Sequence, residues 1–175
     1  MRKLLVVVDM QNDFIDGALG TKEAEAIVDN VAKKIQEYKQ ENIFYTMDTH
    51  QEDYLSTQEG RFLPVEHCVE MTDGWRIHPK LEPLLSMANC VKKLAFGSFR
   101  LCDLIEDIYE EENGEIEIEV VGLCTDICVV CNALMLKVRF HEVPIKVDSS
   151  CCAGVTPEKH EAALETMKSC QIIIE

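Results

Sequence analysis

Apolar residues cluster in short runs along the chain, at Leu4–Val8, Asn42–Met47, Cys90–Lys92, Ile116–Val121, Glu142–Val147 and Gln171–Ile174. These runs are rich in Val and Ile and read as strands. Leu4–Val8 is apolar at every position, which predicts burial on both faces of a parallel sheet. Between the runs the period changes to that of a helix. Ile27, Val28, Val31, Ile35 and Tyr38 form one stripe, Leu101, Leu104, Ile105 and Ile108 a second, and Ile127, Val130, Leu134 and Val138 a third. Thr156 followed by Pro157 marks the start of a fourth helix, because a hydroxyl caps the free N–H groups and proline fits the first turn. Strands alternating with helices of this length predict βαβ units with right-handed crossovers. The result is a three-layer α/β/α sandwich around a central, mostly parallel six-stranded sheet. No repeat, low-complexity tract or Gly/Ser linker interrupts the alternation, so residues 1–175 are expected to form a single domain.

One stretch breaks the rhythm. From Thr49 to Pro79 no period holds, and the segment carries His50, Glu59, His67, Trp75 and His78. A loop this long inside a compact domain is usually functional.

Composition removes several classes of function. Apolar residues make up 47% of the chain and charged residues 28%, a globular balance, while 17 Lys+Arg against 32 Asp+Glu give a net charge of −15. Such a surface repels phosphate backbones and anionic lipid, so no nucleic-acid or membrane partner is expected. No run approaches the roughly 20 apolar residues of a membrane-spanning helix, and the first run meets Asp9 too early for a secretory signal. Nine cysteines, an odd number, then read as free thiols of a reducing compartment, and a cytoplasmic location is expected.

In an open parallel sheet, ligands bind at the carboxyl ends of the strands. Asp9 closes the first strand, Asp48 the second with His50 just beyond, and Lys93 follows the third. After the fourth, Gly122-Leu123-Cys124-Thr125-Asp126-Ile127-Cys128 turns into a helix. A carboxylate, an ammonium and a thiol on one rim fit a cysteine nucleophile for acyl transfer. The helix N-terminus and Lys93 are expected to lower the Cys128 pKa. Asp9 is expected to take the thiol proton and pass it to a leaving amine, while N–H groups at the turn hold an oxyanion. Each residue alone has a plainer reading: an Asp after a strand caps a turn, a Lys is solvated, a free Cys packs in the core. Three strand ends in one fold favour the site. Cys128-Val129-Val130-Cys131 also spells C-x-x-C, and with Cys124 it resembles the cluster loop of radical S-adenosylmethionine enzymes. Val129 and Val130 continue a helical pattern, however, which leaves Cys131 packed in the helix.

These motifs together resemble the isochorismatase-like cysteine hydrolase superfamily, whose amidase branch is typified by nicotinamidase. Asp9-Met10-Gln11-Asn12-Asp13-Phe14 is similar to its D-x-Q-x-D-F. Lys93-Leu94-Ala95-Phe96-Gly97-Ser98-Phe99 is similar to K-x-x-[FY]-S-x-F, with Gly97 where Ser is common. Gly122-x-Cys124-Thr125-Asp126-x-Cys128-Val129 is similar to G-x-[AC]-T-D-x-C-V. Asp148 and His160 match its later segments. The resemblance implies a Rossmann-like α/β fold and an Asp9–Lys93–Cys128 triad. It also implies an oxyanion hole of the Cys124 and Cys128 N–H groups, with a cis peptide between Leu123 and Cys124. The implied reaction is hydrolysis of a small primary amide, with nicotinamide leading and N-carbamoyl or ureido compounds as the alternative. A thiol redox or binding protein using Cys128 and Cys131 is the distant reading.

The resemblance further implies a divalent ion, Zn²⁺ first, held by Asp48, His50 and His67 with Glu59 as the fourth ligand, since imidazole and carboxylate suit Zn²⁺, Fe²⁺ or Mn²⁺. Leu63, Pro64 and Val65 stand where an aromatic residue often packs on the substrate ring, so Phe14 and Phe96 are the candidate substrate-binding aromatics. His78 and Trp75 read as packing or rim groups. The chain is short for the family, and a homo-oligomer is expected.

Overall fold

Strands and helices alternate along Met1–Glu175, all of which the computed structural model describes. In chain order they are β1 (Arg2–Val8), α1 (Asn12–Ile15), α2 (Lys22–Gln36), β2 (Ile43–Asp48), α3 (Gln58–Phe62) and β3 (Cys90–Lys93). Then follow α4 (Phe99–Glu111), β4 (Ile116–Leu123), α5 (Val130–Arg139), β5 (Ile145–Ala153), α6 (Pro157–Ser169) and β6 (Ile173–Ile174). The strands form one six-stranded sheet in the order β3-β2-β1-β4-β5-β6, with every neighbouring pair parallel. The expected three-layer sandwich is present, and its sheet is wholly parallel.

Strict alternation along the buried central strand β1 divides the core. Leu4, Val6 and Val8 pack with α4, α5 and α6 on one face, through Leu101, Ile105, Ala133, Leu136, Leu164 and Met167. Leu5 and Val7 pack on the other with α2, through Val28, Val31 and Ile35, with Cys68 and Ile77 of the irregular segment, and with Leu81 just beyond it. That segment therefore covers sheet that a helix would otherwise cover. The sheet edges are short: β3 has four residues and β6 two.

The chain runs outward from β1 to β3 and then crosses back to β4, so the strand order reverses between β1 and β4. A crevice opens at such a switch point, at the carboxyl ends of the strands. Gly122 lets the two strands close there. Its φ is +118°, and a Cβ would lie 2.1 Å from the Val8 carbonyl oxygen.

Most strand boundaries shift by one or two residues from the sequence reading, and β5 and β6 differ most. β5 begins later than Glu142 and runs six residues past Val147. Beyond Val147, two residues of β4 face five of β5, the register passing from Val120–Val147 to Gly122–Cys152. The polar Asp148-Ser149-Ser150 sits in this bulged stretch and hides the strand's second half from a hydrophobicity pattern. β6 is only Ile173–Ile174, because Gln171 still closes the turn after α6 with φ of 65°.

A candidate thiol–carboxylate active site beside a donor cluster

The strand ends deliver Asp9, Lys93 and Cys128 to one buried point. Asp9 leaves β1 with φ of 47°, a left-handed conformation that Asp tolerates better than most side chains. Its N–H reaches the Thr46 carbonyl and hydroxyl, each at 3.2 Å, and the Thr46 hydroxyl donates to Asp9 Oδ1 at 2.6 Å. Lys93 Nζ lies 2.6 Å from Asp9 Oδ2, 3.3 Å from Asp48 Oδ1 and 3.4 Å from Cys128 Sγ. One ammonium thus touches two carboxylates and the thiol, all nearly closed to water.

Burial pushes the Asp9 carboxyl above the usual carboxylate range against the pull of Lys93, which makes it a better proton acceptor. Burial opposes the charge on Lys93, but Asp9, Cys128 and Asp48 outweigh it and hold the ammonium above its ordinary pKa. The thiol departs from expectation. Burial raises Cys128 well above an ordinary cysteine and the Asp9 charge adds to the rise, with Lys93 offsetting only part. Nor does Cys128 open an α-helix. It lies inside a wide turn, Thr125–Val129, where the Val129 N–H reaches back to the Cys124 carbonyl at 3.1 Å, and α5 starts only at Val130. Leu123–Cys124 is a cis peptide, as the resemblance implied. Among the hydrogen bonds of turns, loops and caps, none is donated by the amides of Cys124 or Cys128.

Asn132, which the sequence did not single out, ties the nucleophile turn to the lysine loop. Its Nδ2 donates to the Cys128 carbonyl at 2.8 Å and the Phe96 carbonyl at 3.0 Å, and its Oδ1 accepts the Ser98 N–H at 3.1 Å. The loop presses on α5 there: a Cβ at Gly97 would lie 2.3 Å from Met135 Sδ and 2.9 Å from Cys131 Sγ, so a Ser at this place would require those side chains to move. Cys131 faces that contact and a groove between α4 and α5, whereas Cys128 lines the cavity described next. The two thiols open on different surfaces.

Beside the triad, the irregular segment brings its histidines home. His50 N–H donates to the Cys68 carbonyl and Glu70 N–H to the His50 carbonyl, each at 2.9 Å, so the returning chain pairs alongside the end of β2. Gln11 grips the Asp48 backbone at both N–H (2.7 Å) and C=O (2.8 Å), and Asp13 Oδ2 accepts the Cys68 N–H at 2.7 Å. The D-x-Q-x-D-F signature thus anchors the loop, a role invisible in the sequence. As a result Asp48, His50, Glu59 and His67 each turn one donor atom inward, all within 4.8 Å of one another. His50 Nε2 is 3.0 Å from Asp48 Oδ2, and Glu59 Oε1 is 3.7 Å from His50 Nε2 and 3.8 Å from His67 Nε2. His67 Nδ1 bonds the Val65 carbonyl at 2.8 Å, which orients Nε2 toward the cluster. Trp75 and His78 lie outside it: Trp75 Nε1 donates to Thr49 and its ring lies under Lys92. His160 is bonded to Thr125 of the nucleophile turn, and Asp148 pairs with Lys34 far from the site.

A cavity of about 340 Å³ opens onto Cys128, Asp48, Glu59 and His67. Its wall is mostly apolar and includes Phe14, Leu19, Phe96, Ile127 and Val155. Phe14 is buried and its ring sits 5.5 Å from that of His67, while Phe96 is half exposed at the mouth. This is the form of a small-ligand site, an apolar container with a few convergent polar groups.

Known proteins share this architecture. The Isochorismatase domain model matches residues 3–175. The nicotinamidase/pyrazinamidase of Mycobacterium tuberculosis is 28% identical over 184 residues, covering 97% of this chain and 96% of that protein. Pyrazinamidase of Pyrococcus horikoshii in complex with zinc superposes with a TM-score of 0.77 at 30% identity, over 100% of this chain and 99% of that one. The nicotinamidase/pyrazinamidase of Bacillus subtilis superposes at 0.82 with 28% identity, over 99% of both.

Proposed function

The chain belongs to the isochorismatase family and is a nicotinamidase-type amide C–N hydrolase, and we propose that it converts nicotinamide to nicotinate and ammonia through a thioester on Cys128. The observation that carries this reading is the contact of one buried ammonium, Lys93, with Asp9 and with the Cys128 thiol at the floor of an apolar cavity. Because the resting thiol is held protonated, its activation is a proton transfer to Asp9 rather than a standing thiolate. The sulfur then attacks the carboxamide carbon, and the C–N bond breaks as Asp9 returns the proton to the departing ammonia. Water, deprotonated by Asp9, opens the thioester, releases the carboxylic acid and leaves the thiol protonated again. Lys93 keeps its charge throughout and balances the negative charge that moves between Asp9 and Cys128. The free Cys124 N–H, with that of Cys128, supports an oxyanion hole for the tetrahedral states.

The four inward donors fit a divalent ion: two imidazoles and two carboxylates, with His67 already oriented by its backbone bond. Asp48, His50, Glu59 and His67 would hold it, Zn²⁺ being the leading identity. When bound, the ion supplies a Lewis-acid anchor for a ring nitrogen near Cys128. Phe14, packed on His67, offers a face to the ring.

Elemental analysis and ammonia-release kinetics on the same preparation test this. We expect about one metal per chain, turnover of nicotinamide, and loss of both metal and turnover in His50→Ala. A metal-loaded protein that hydrolyses N-carbamoyl amines but not nicotinamide would overturn the substrate. A metal-free protein with full turnover would overturn the ion.

A further inference from the structure

The one cationic side chain of the cavity wall has no part in the chemistry above. Asp48, Glu59 and His67 belong to the donor cluster and Cys128 to the triad, which leaves Lys159 as the one lysine or arginine lining the cavity. It forms no ion pair, whereas Lys168 of the same helix pairs with Glu165. Its position is also a poor one for a lysine. Thr156 caps α6 and its side chain accepts the Lys159 N–H at 3.3 Å, which makes Lys159 the third residue of the helix. Glu or Gln at that place would return a bond to the cap, and the positive end of the helix disfavours an ammonium there. Departures from local rules concentrate where function requires them.

The surroundings say what the ammonium is for. The exposed apolar part of the same lining is Phe62, Leu63, Phe96 and Val155. Asp48 and Glu59 line the same cavity, and a divalent ion held there would balance their charge, which leaves the Lys159 ammonium as the unbalanced positive group of the lining on a molecule that carries −15 overall. We infer that Lys159 is a specificity-determining residue, and that the preferred substrates are primary amides bearing a carboxylate at the end remote from the scissile bond. This rests on the amidase reading and extends it: nicotinamide is turned over as a neutral, less preferred member of the same class of primary amides.

The test compares two amides on the protein as purified: nicotinamide, and the monoamide of a pyridine dicarboxylic acid whose two substituents are meta to one another. The expected wild-type preference, as a ratio of kcat/KM, is for the carboxylated amide. In Lys159→Ala that ratio should fall about fivefold through KM, and in Lys159→Arg it should be retained. Added salt should erode the wild-type preference, as it does any exposed charge contact. A ratio unchanged in Lys159→Ala, or a wild-type preference for the neutral amide, overturns the inference while leaving the amidase intact. Hydrolysis of neither amide overturns both.

Discussion

Cys128 lies between two opposite charges, and removing either one moves its proton in a predictable direction. The Asp9 carboxylate raises the thiol pKa and the Lys93 ammonium lowers it, both acting on a group already raised by burial. Asp9→Asn should therefore shift thiolate formation to lower pH than in the wild type, and Lys93→Met should shift it higher. Turnover should nonetheless fall in both, by about 10² to 10⁴ where the proton acceptor is lost, because a thiolate without Asp9 has no proton to give the leaving amine. Ultraviolet titration of the thiolate beside steady-state kinetics reads both quantities. Shifts in the same direction would show that the two residues do not act as opposed charges. The acid–base work thus belongs to the pair of charges, and the thiol is their substrate.

At the scale of elements, the site depends on one side chain that bridges two of them. Asn132 on α5 holds the carbonyls of Cys128 and Phe96 and the N–H of Ser98, all from a buried position. Asn132→Leu keeps the bulk but strands those backbone groups, so we expect a loss of about 2 kcal/mol in urea unfolding. The fall in kcat should exceed any change in KM, because a small misplacement of Lys93 against Cys128 is costly to a proton transfer. Much of this arrangement was legible in the sequence. An unbroken apolar run such as Leu4–Val8 has few alternatives to a central parallel strand, and residues just beyond such strands share a rim by topology. The bridge was not legible, because an Asn in a helical pattern carries no sign of its partners. The same holds for Gln11 and Asp13, whose bonds run to Asp48 and Cys68 far along the chain. The thiol pKa runs opposite to the sequence expectation for a related reason: the sequence shows which charges come near Cys128, but burial, the largest effect, appears only once the layers close.

Over the whole molecule, the reactive end of the sheet is balanced by a charged layer elsewhere on the α2 face. Lys34 of α2 reaches Glu119 of β4 at 2.7 Å and Asp148 of β5 at 2.9 Å, and Tyr38 donates to Glu119. Burial opposes the Lys34 charge, but its hydrogen bonds to Glu119 and Asp148 outweigh that and raise its pKa. Its contribution to stability is therefore complete below the unfolded value of about 10.4 and is lost only as pH rises through the still higher folded value. Lys34→Met leaves Glu119 buried without its cation. We expect it to cost about 2 kcal/mol, at the low side for a buried pair because Lys34 keeps some contact with water. Urea unfolding should show that deficit steady from neutral to mildly alkaline pH, and its absence would show that the layer is neutral to stability. The short margins of the sheet have a different consequence. A parallel sheet must end somewhere, and each end is a row of unmet backbone donors and acceptors on which another chain can template. Here the row on one side is four residues long and on the other two, with Glu175 closing back onto Ser149 and Val147. Those last residues act as a stopper: they cover part of the nine-residue β5, whose full length would otherwise be an open invitation to fibrous growth.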